Sequence, residues 1–222
     1  MLGGFAFLPR AALLPKLISG ELRVKDAGRF LRSSAPSPSV HPLEGYDYSQ
    51  PGAYFVTIVT EDRACLFGEV ADGEMRSNEA GRMVAAEWEM LQERFTDVEL
   101  DAFVVMPNHV HGIIVIATPP PVGAGLVPAH DRATARVALS VGDVVGAFKS
   151  RVTVEYTRGA KTSGWPPFRG HVWQRNYFEH IIRNEESLNR IRQYILDNPT
   201  RWAMDRENPA AVQPEAEDAW RI

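Results

Sequence analysis

The chain has 222 residues, 45% of them hydrophobic and 23% charged, with a formal net charge of −4 and a pI near 5.9. These values describe a globular domain with a real core and exclude a disordered chain, a collagen-like repeat and a disulfide-stapled miniprotein. The single cysteine, Cys65, can form no internal bridge, which fits a reducing, cytoplasmic setting, and the acidic balance taken whole argues against an extended nucleic-acid-binding surface.

The first stretch, MLGGFAFLPRAALLPKLISG, is apolar, but Pro9, Arg10, Pro15 and Lys16 interrupt it short of the roughly 20 residues a membrane span needs. It has neither the basic start nor the cleavage site of a signal peptide, so no membrane partner is expected. SSAPSPSVHP (33–42) has almost nothing to bury and reads as a linker. Residues 1–42 are therefore an extension with poor order expected, 43–203 the domain, and 204–222 a polar, loosely packed tail.

AYFVTIVT (53–60) is dense in β-branched and aromatic residues and predicts a strand. The next segment turns twice, at Gly68 and around Asp72-Gly73. Asn78 is placed to cap a helix whose apolar positions include Met83, Met90 and Leu91. VELDAFVVM (98–106) predicts a second strand, Pro107-Asn108 breaks it, and HVHGIIVIA (109–117) a third. A long Pro/Gly/Ala-rich loop follows over 118–136, then a helix capped by Ser140 with Val141, Val144, Val145 and Phe148 as its stripe. HVWQ (171–174) predicts a short strand and RNYFEHIIR (175–183) a short helical or irregular piece. Asn184 caps a last helix, with Leu188, Ile191 and Ile195 as its stripe and Pro199 as its stop. This order predicts an α+β sandwich, an antiparallel sheet with helices on one face.

Three features carry chemistry. His109 and His111 stand one residue apart on a predicted strand, so both imidazoles project from one face, as two ligands of a divalent metal would. On spacing alone they are equally a pair of packing histidines. Tyr194 and Asn198, four residues apart on the last helix, share a face beside its apolar stripe. A tyrosine hydroxyl can attack a phosphodiester and hold it covalently, with a metal offsetting its high pKa, and Asn198 can add an oxygen ligand. Alternatively, the tyrosine is a boundary residue and the asparagine a helix end. Finally, residues 149–201 hold ten basic and five acidic side chains, a local charge of +5 that leaves −9 on the remainder. Trp165, Phe168, Trp173, Tyr177 and Phe178 are interleaved with those cations, a combination that suits unpaired bases as well as phosphates.

GYDYSQPGAYFVTIVT, MPNHVHGIIVI, GDVVGAFKS and WQRNYFEHIIRNEESLNRIRQYILDNP together resemble the REP-associated tyrosine transposases, of the single-tyrosine HUH transposase superfamily. The resemblance spans about Gly45 to Trp202, whereas residues 1–41 match nothing in that pattern. It implies a ferredoxin-like sandwich with His-x-His on a central strand and the nucleophile on a late helix. It further implies that His109, His111 and Asn198 hold Mg²⁺ or Mn²⁺, and that Tyr194 cleaves and rejoins single-stranded or hairpin DNA of palindromic repeats through a 5′-phosphotyrosine. Tyr177 is a competing nucleophile. Lys149, Arg151, Trp173, Gln174, Arg175, Tyr177, Arg183 and Arg190 are the candidate DNA contacts. A hairpin-binding protein that does not cut, or a phosphoesterase of small substrates, would use part of the same set, and monomer and homodimer both remain open.

Overall fold

The computed structural model describes residues 50–117 and 139–216; the extension and linker, the 118–136 loop and the last six residues lie outside the described residues. In chain order the elements are β1 (Gly52–Val59), a 3-10 turn (Glu61–Arg63), β2 (Gly68–Ala71), β3 (Glu74–Ser77), α1 (Glu79–Glu89) and α2 (Leu91–Arg94). There follow β4 (Val98–Val105), β5 (His109–Ile116), α3 (Val141–Thr162), β6 (Phe178–Ile182), α4 (Glu185–Arg201) and a second 3-10 turn (Trp202–Met204).

β4, β5, β1 and β6 form one antiparallel sheet in that order. With the β2–β3 hairpin set aside, the four strands in chain order lie 4-1-3-2 across the sheet, the split βαβ arrangement of a ferredoxin-like fold. The hairpin closes on Asp72 (φ 55°) and Gly73 (φ 75°), the pair of positive φ angles that a tight two-residue turn demands.

Helix starts follow the sequence closely. Asn78 Oδ1 accepts from the Gly81 N–H at 2.8 Å and Asn184 Oδ1 from the Ser187 N–H at 2.8 Å. Ser140 and Asp143 form a reciprocal capping box on α3.

Tyr54, Val56 and Ile58 of β1 and Val110, Ile114 and Ile116 of β5 pack against Val84 and Trp88 of α1 and against Val144, Phe148 and Val152 of α3. On the opposite face, Phe55, Ile113, Val115 and Ile182 pack against Leu188, Ile191 and Ile195 of α4. Helices thus cover both faces, not one. β1 and β5, the two internal strands, need apolar residues on both sides, and a third helix is what buries the second set.

Four further expectations need correction. Residues 171–174 contribute only an isolated bridge, Thr60 to Trp173. The strand lies instead at Phe178–Ile182, expected to be helical or irregular, and it pairs with β1 along Ala53–Thr57. Five residues alternating in side are too few to separate a strand from a helical turn by periodicity. Pro199 does not stop α4, which continues to Arg201; proline removes one backbone donor near a helix end, where the ladder is already thinning. The described part of the tail, through residue 216, is not loose: Asp205 and Glu207 are buried, and Arg201 holds Glu215 through two bonds of 2.9 and 2.8 Å.

Gly112 is where α1 meets the sheet. A Cβ there would lie 2.3 Å from the Trp88 ring, which stacks on Phe103 and meets Phe148 edge-on. Gly112→Ala should therefore destabilise the protein by about 1–3 kcal/mol, as overpacking of a filled core does. A urea titration that places it within 0.5 kcal/mol of the parent would mean the Trp88 contact is not close-packed.

Candidate active site

β5 carries His109, His111, Ile113 and Val115 on the face under α4, and the last two anchor the strand in the apolar cluster there. Register sets His111 opposite Thr57 and His109 opposite Val59 on β1. Both imidazoles are buried, and their Nε2 atoms lie 3.1 Å apart. Each ring is held by its other nitrogen, His111 Nδ1 at 2.8 Å from Thr57 Oγ1 and His109 Nδ1 at 2.9 Å from Asn108 Oδ1.

α4 brings its polar residues to the same place. Ile191, Ile195 and Asn198 are buried along one side, and Tyr194 stands beside them, half-buried. The Tyr194 ring centroid is 5.3 Å from that of His111, and its edge meets Phe55 at 6.2 Å. The helix is fixed to the sheet edge by Arg192, whose guanidinium donates to both oxygens of Asp101 at 2.7 and 2.6 Å, next to the irregularity in β4 between Leu100 and Phe103. Arg201, two turns beyond Tyr194, lies over its ring with the guanidinium carbon 5.3 Å from the centroid.

The tail then supplies a residue that sequence reasoning missed. After the 3-10 turn at Trp202–Met204, Asp205 turns inward, its Oδ1 accepting from the Glu207 N–H at 2.7 Å and its Oδ2 lying 3.6 Å from His109 Nε2. His109, His111 and Asp205 each offer a ligand atom, all within 4.8 Å of one another. Asp205 Oδ2 and Asn198 Oδ1 are buried without a hydrogen-bond partner. An unsatisfied buried polar atom costs about 1–3 kcal/mol, and one facing two imidazole nitrogens is the donor set a divalent cation satisfies. The residues present therefore fit a metal ion.

Their protonation fits too. Burial lowers His109 to about 4, against the opposing effects of Glu207 and Asn198, and drives His111 well below the ordinary histidine value, with His109 adding to the effect. Both rings are neutral at pH 7, as ligands must be. Burial pushes the Asp205 carboxyl up to about 6. Burial also raises the Tyr194 phenol well above its usual value, helped by Asp205 and Glu215, while Arg201 and the Asn198 amide favour the phenolate.

The sequence-predicted DNA contacts divide. Gln174 and Tyr177 line the cleft that also holds His111, Tyr194 and Asp205. Arg175 and Arg183 are exposed, and Arg190 is paired with Glu186 at 2.7 Å. Three others are already engaged by the fold. Trp173 is buried between Phe67 and Phe148, so it is a core ring and not a platform for a base. Arg151 is spent on Glu87 at 3.2 and 3.1 Å. Lys149 Nζ donates to the carbonyls of Gln174, Arg175 and Asn176 at 3.0, 3.3 and 2.9 Å and lies over the Tyr177 ring. Tyr177 is thus at the cleft wall, whereas Tyr194 is the tyrosine beside the histidines.

No family model matches the chain. An uncharacterized protein of Haemophilus influenzae is 38% identical over 168 residues, covering 74% of this chain and 89% of that protein. Among solved structures, a REP-associated tyrosine transposase bound to a REP hairpin aligns with a TM-score of 0.46 at 18% identity, over 70% of this chain and 71% of its own. A Deinococcus radiodurans R1 protein designated a transposase aligns at 0.37 and 22% identity, over 69% and 93%.

The Asp205 carboxyl must be ionised to ligate. Because its proton leaves only above about pH 6, a divalent cation competes with that proton below it. Mn²⁺ affinity, followed by calorimetry, should hold near pH 7 and fall by about tenfold per unit below pH 6. In Asp205→Asn the affinity should be weaker and this slope absent; an unchanged profile would remove Asp205 from the ligand set.

Proposed function

We propose that this chain, which belongs to the same family as the Haemophilus influenzae protein, is a metal-dependent DNA strand transferase that cleaves and rejoins single-stranded or hairpin DNA through Tyr194. One observation carries the reading: the half-buried Tyr194 phenol stands beside a pair of neutral histidines and an orphaned carboxylate oxygen, in a cleft open to solvent. An amphipathic helix has no packing reason to place a tyrosine and an asparagine with an unpartnered amide oxygen together over two buried imidazoles. Cutting a phosphodiester through a protein hydroxyl is chemistry that this set can serve.

His109, His111 and Asp205 would hold the ion, Mg²⁺ or Mn²⁺, with Asn198 as a further oxygen donor. Bound there, it neutralises charge on the scissile phosphate and makes the phosphorus more electrophilic. Tyr194 attacks that phosphorus. A phosphotyrosine bond to the 5′ side forms, the bond to the 3′ oxygen breaks, and the departing oxygen takes up the proton the phenol has lost. Arg201 and the Asn198 amide favour the phenolate that burial otherwise disfavours. The released 3′-hydroxyl can reverse the step on the same or another strand. In this reading the exposed Arg175, next to the cleft wall, would hold phosphates, and Gln174 and Tyr177, on that wall, would meet a base, whereas Arg183 follows β6 at its end away from the histidines.

The test uses labelled single-stranded oligonucleotides carrying a palindromic hairpin, with Mn²⁺ or Mg²⁺ present. The parent should form a covalent protein–DNA adduct and Tyr194→Phe none, while Tyr177→Phe keeps it. Loss in Tyr177→Phe with retention in Tyr194→Phe would transfer the role to Tyr177. EDTA-insensitive hairpin binding without an adduct under either metal would make this protein a binder that does not cut.

A further inference from the structure

We propose that the two histidines are held by unlike supports: Asn108 locks His109 in one tautomer, whereas the Thr57 hydroxyl lets His111 exchange one tautomer for the other. The proposal rests on His109 and His111 being metal ligands and makes Asn108 and Thr57 positioning residues.

Asn108 is fully buried in the turn between β4 and β5. Its Nδ2 donates to the Arg63 carbonyl at 3.0 Å and to the Glu207 carbonyl at 2.6 Å. Both amide hydrogens are therefore used, one on the 3-10 turn after β1 and one on the tail. Turning the amide over would press Oδ1 against two carbonyl oxygens at these distances, so the orientation is fixed. Oδ1 then faces His109 Nδ1 at 2.9 Å and can only accept. His109 must carry its proton on Nδ1, and its Nε2 presents a bare lone pair toward His111 and Asp205.

Thr57 imposes no such choice. A hydroxyl donates or accepts as its hydrogen rotates, so the 2.8 Å contact with His111 Nδ1 suits either tautomer. Two neutral imidazole nitrogens 3.1 Å apart need one hydrogen between them or a cation that both lone pairs face. With His109 Nε2 bare, that hydrogen belongs to His111 Nε2, and Thr57 then donates to the bare His111 Nδ1. When a cation faces both Nε2 atoms, His111 Nε2 releases its proton to solvent, Nδ1 takes one up, and the Thr57 hydroxyl turns to accept. The net proton change at the pair is zero, and His109 does not change at all.

Two-bond ¹⁵N–¹H correlation spectra of the imidazoles read both rings directly. In the metal-free protein His109 should be Nδ1–H and His111 Nε2–H; with Zn²⁺ as a diamagnetic probe, both should be Nδ1–H. Asn108→Ala should give a tautomer mixture at His109 and weaken Zn²⁺ binding by about 10–100-fold, the usual effect of losing a partner behind a ligand. Asn108→Asp, which keeps an acceptor but loses both donors, should preserve the His109 tautomer. Thr57→Val should weaken Zn²⁺ and leave His109 as it was. An Nε2–H tautomer on His109 in the parent overturns the proposal even if no variant folds. So does an Asn108→Ala protein that keeps one tautomer and parental affinity, the result of a purely packing role. None of these spectra depends on DNA cleavage, so an inert Tyr194 would leave this inference standing and defeat only the preceding one.

Discussion

Two neutral imidazoles held nitrogen to nitrogen at 3.1 Å in a buried position are the constraint around which this molecule is arranged. Burial keeps both rings unprotonated, and a strand is the element that sets two side chains one residue apart on the same face. That strand must then be internal, flanked by partners that fix its register, so that Thr57 of β1 falls opposite His111. It must also be covered on the histidine face. α4 is therefore more than an appended helix: the ferredoxin-like sheet with α1 and α3 alone would leave Phe55, Ile113 and Val115 facing water. The same helix that buries them brings Tyr194 and Asn198 over the imidazoles, so core formation and site assembly are one event.

Cost and placement separate the tail from the rest. Asp205 is buried with one oxygen bonded and one orphaned, an arrangement that opposes folding by about 1–3 kcal/mol until a cation or proton meets it. It is held inward by neighbours with other partners: Glu207 pairs with Arg63 at 2.8 Å, the Glu207 carbonyl receives Asn108, and Glu215 receives Arg201. These bonds run from the tail to the 3-10 turn, to the turn before β5 and to the end of α4. The tail thus ties together the three segments that bear the site, and the carboxylate at its centre bears the strain of that position.

Much of this was readable from residue order, and the failures have physical causes. The cap residues Asn78, Ser140 and Asn184 mark three helix starts because a side-chain oxygen at an N-cap is a local requirement. His-x-His and the Tyr194–Asn198 pair stood out because strand and helix periods are local too. Asp205 did not, for it lies eleven residues past Tyr194 in a polar segment, and only the path of the backbone returns it to His109. Asn108 was visible as a strand break and not as a ligand's support, since its role lies in two carbonyls that arrive from positions 63 and 207. Trp173 is a core ring that sequence alone does not distinguish: aromatic residues among cations look alike whether they face solvent or fill the gap between Phe67 and Phe148.

The same distinction bears on charge. A stretch with ten basic and five acidic residues invites a phosphate-binding surface, but a cation already paired with a carboxylate or held by carbonyls contributes less to one. Arg151, Arg158, Arg192 and Arg201 face Glu87, Glu155, Asp101 and Glu215, and Lys149 is spent on three carbonyls. Arg151, Arg158 and Arg190 stay exposed within their ion pairs, and Lys161, Arg169, Arg175 and Arg183 are exposed as well. Of these, Arg175 adjoins Gln174 and Asn176 at the cleft wall, in the loop whose carbonyls Lys149 gathers. Lys149 therefore acts through shape: its ammonium holds the wall in place, and the side chains of that wall meet whatever enters. A regional charge of +5 overstates the free positive surface, but its internal part fixes the two things a cleft needs, a seated helix and a formed rim.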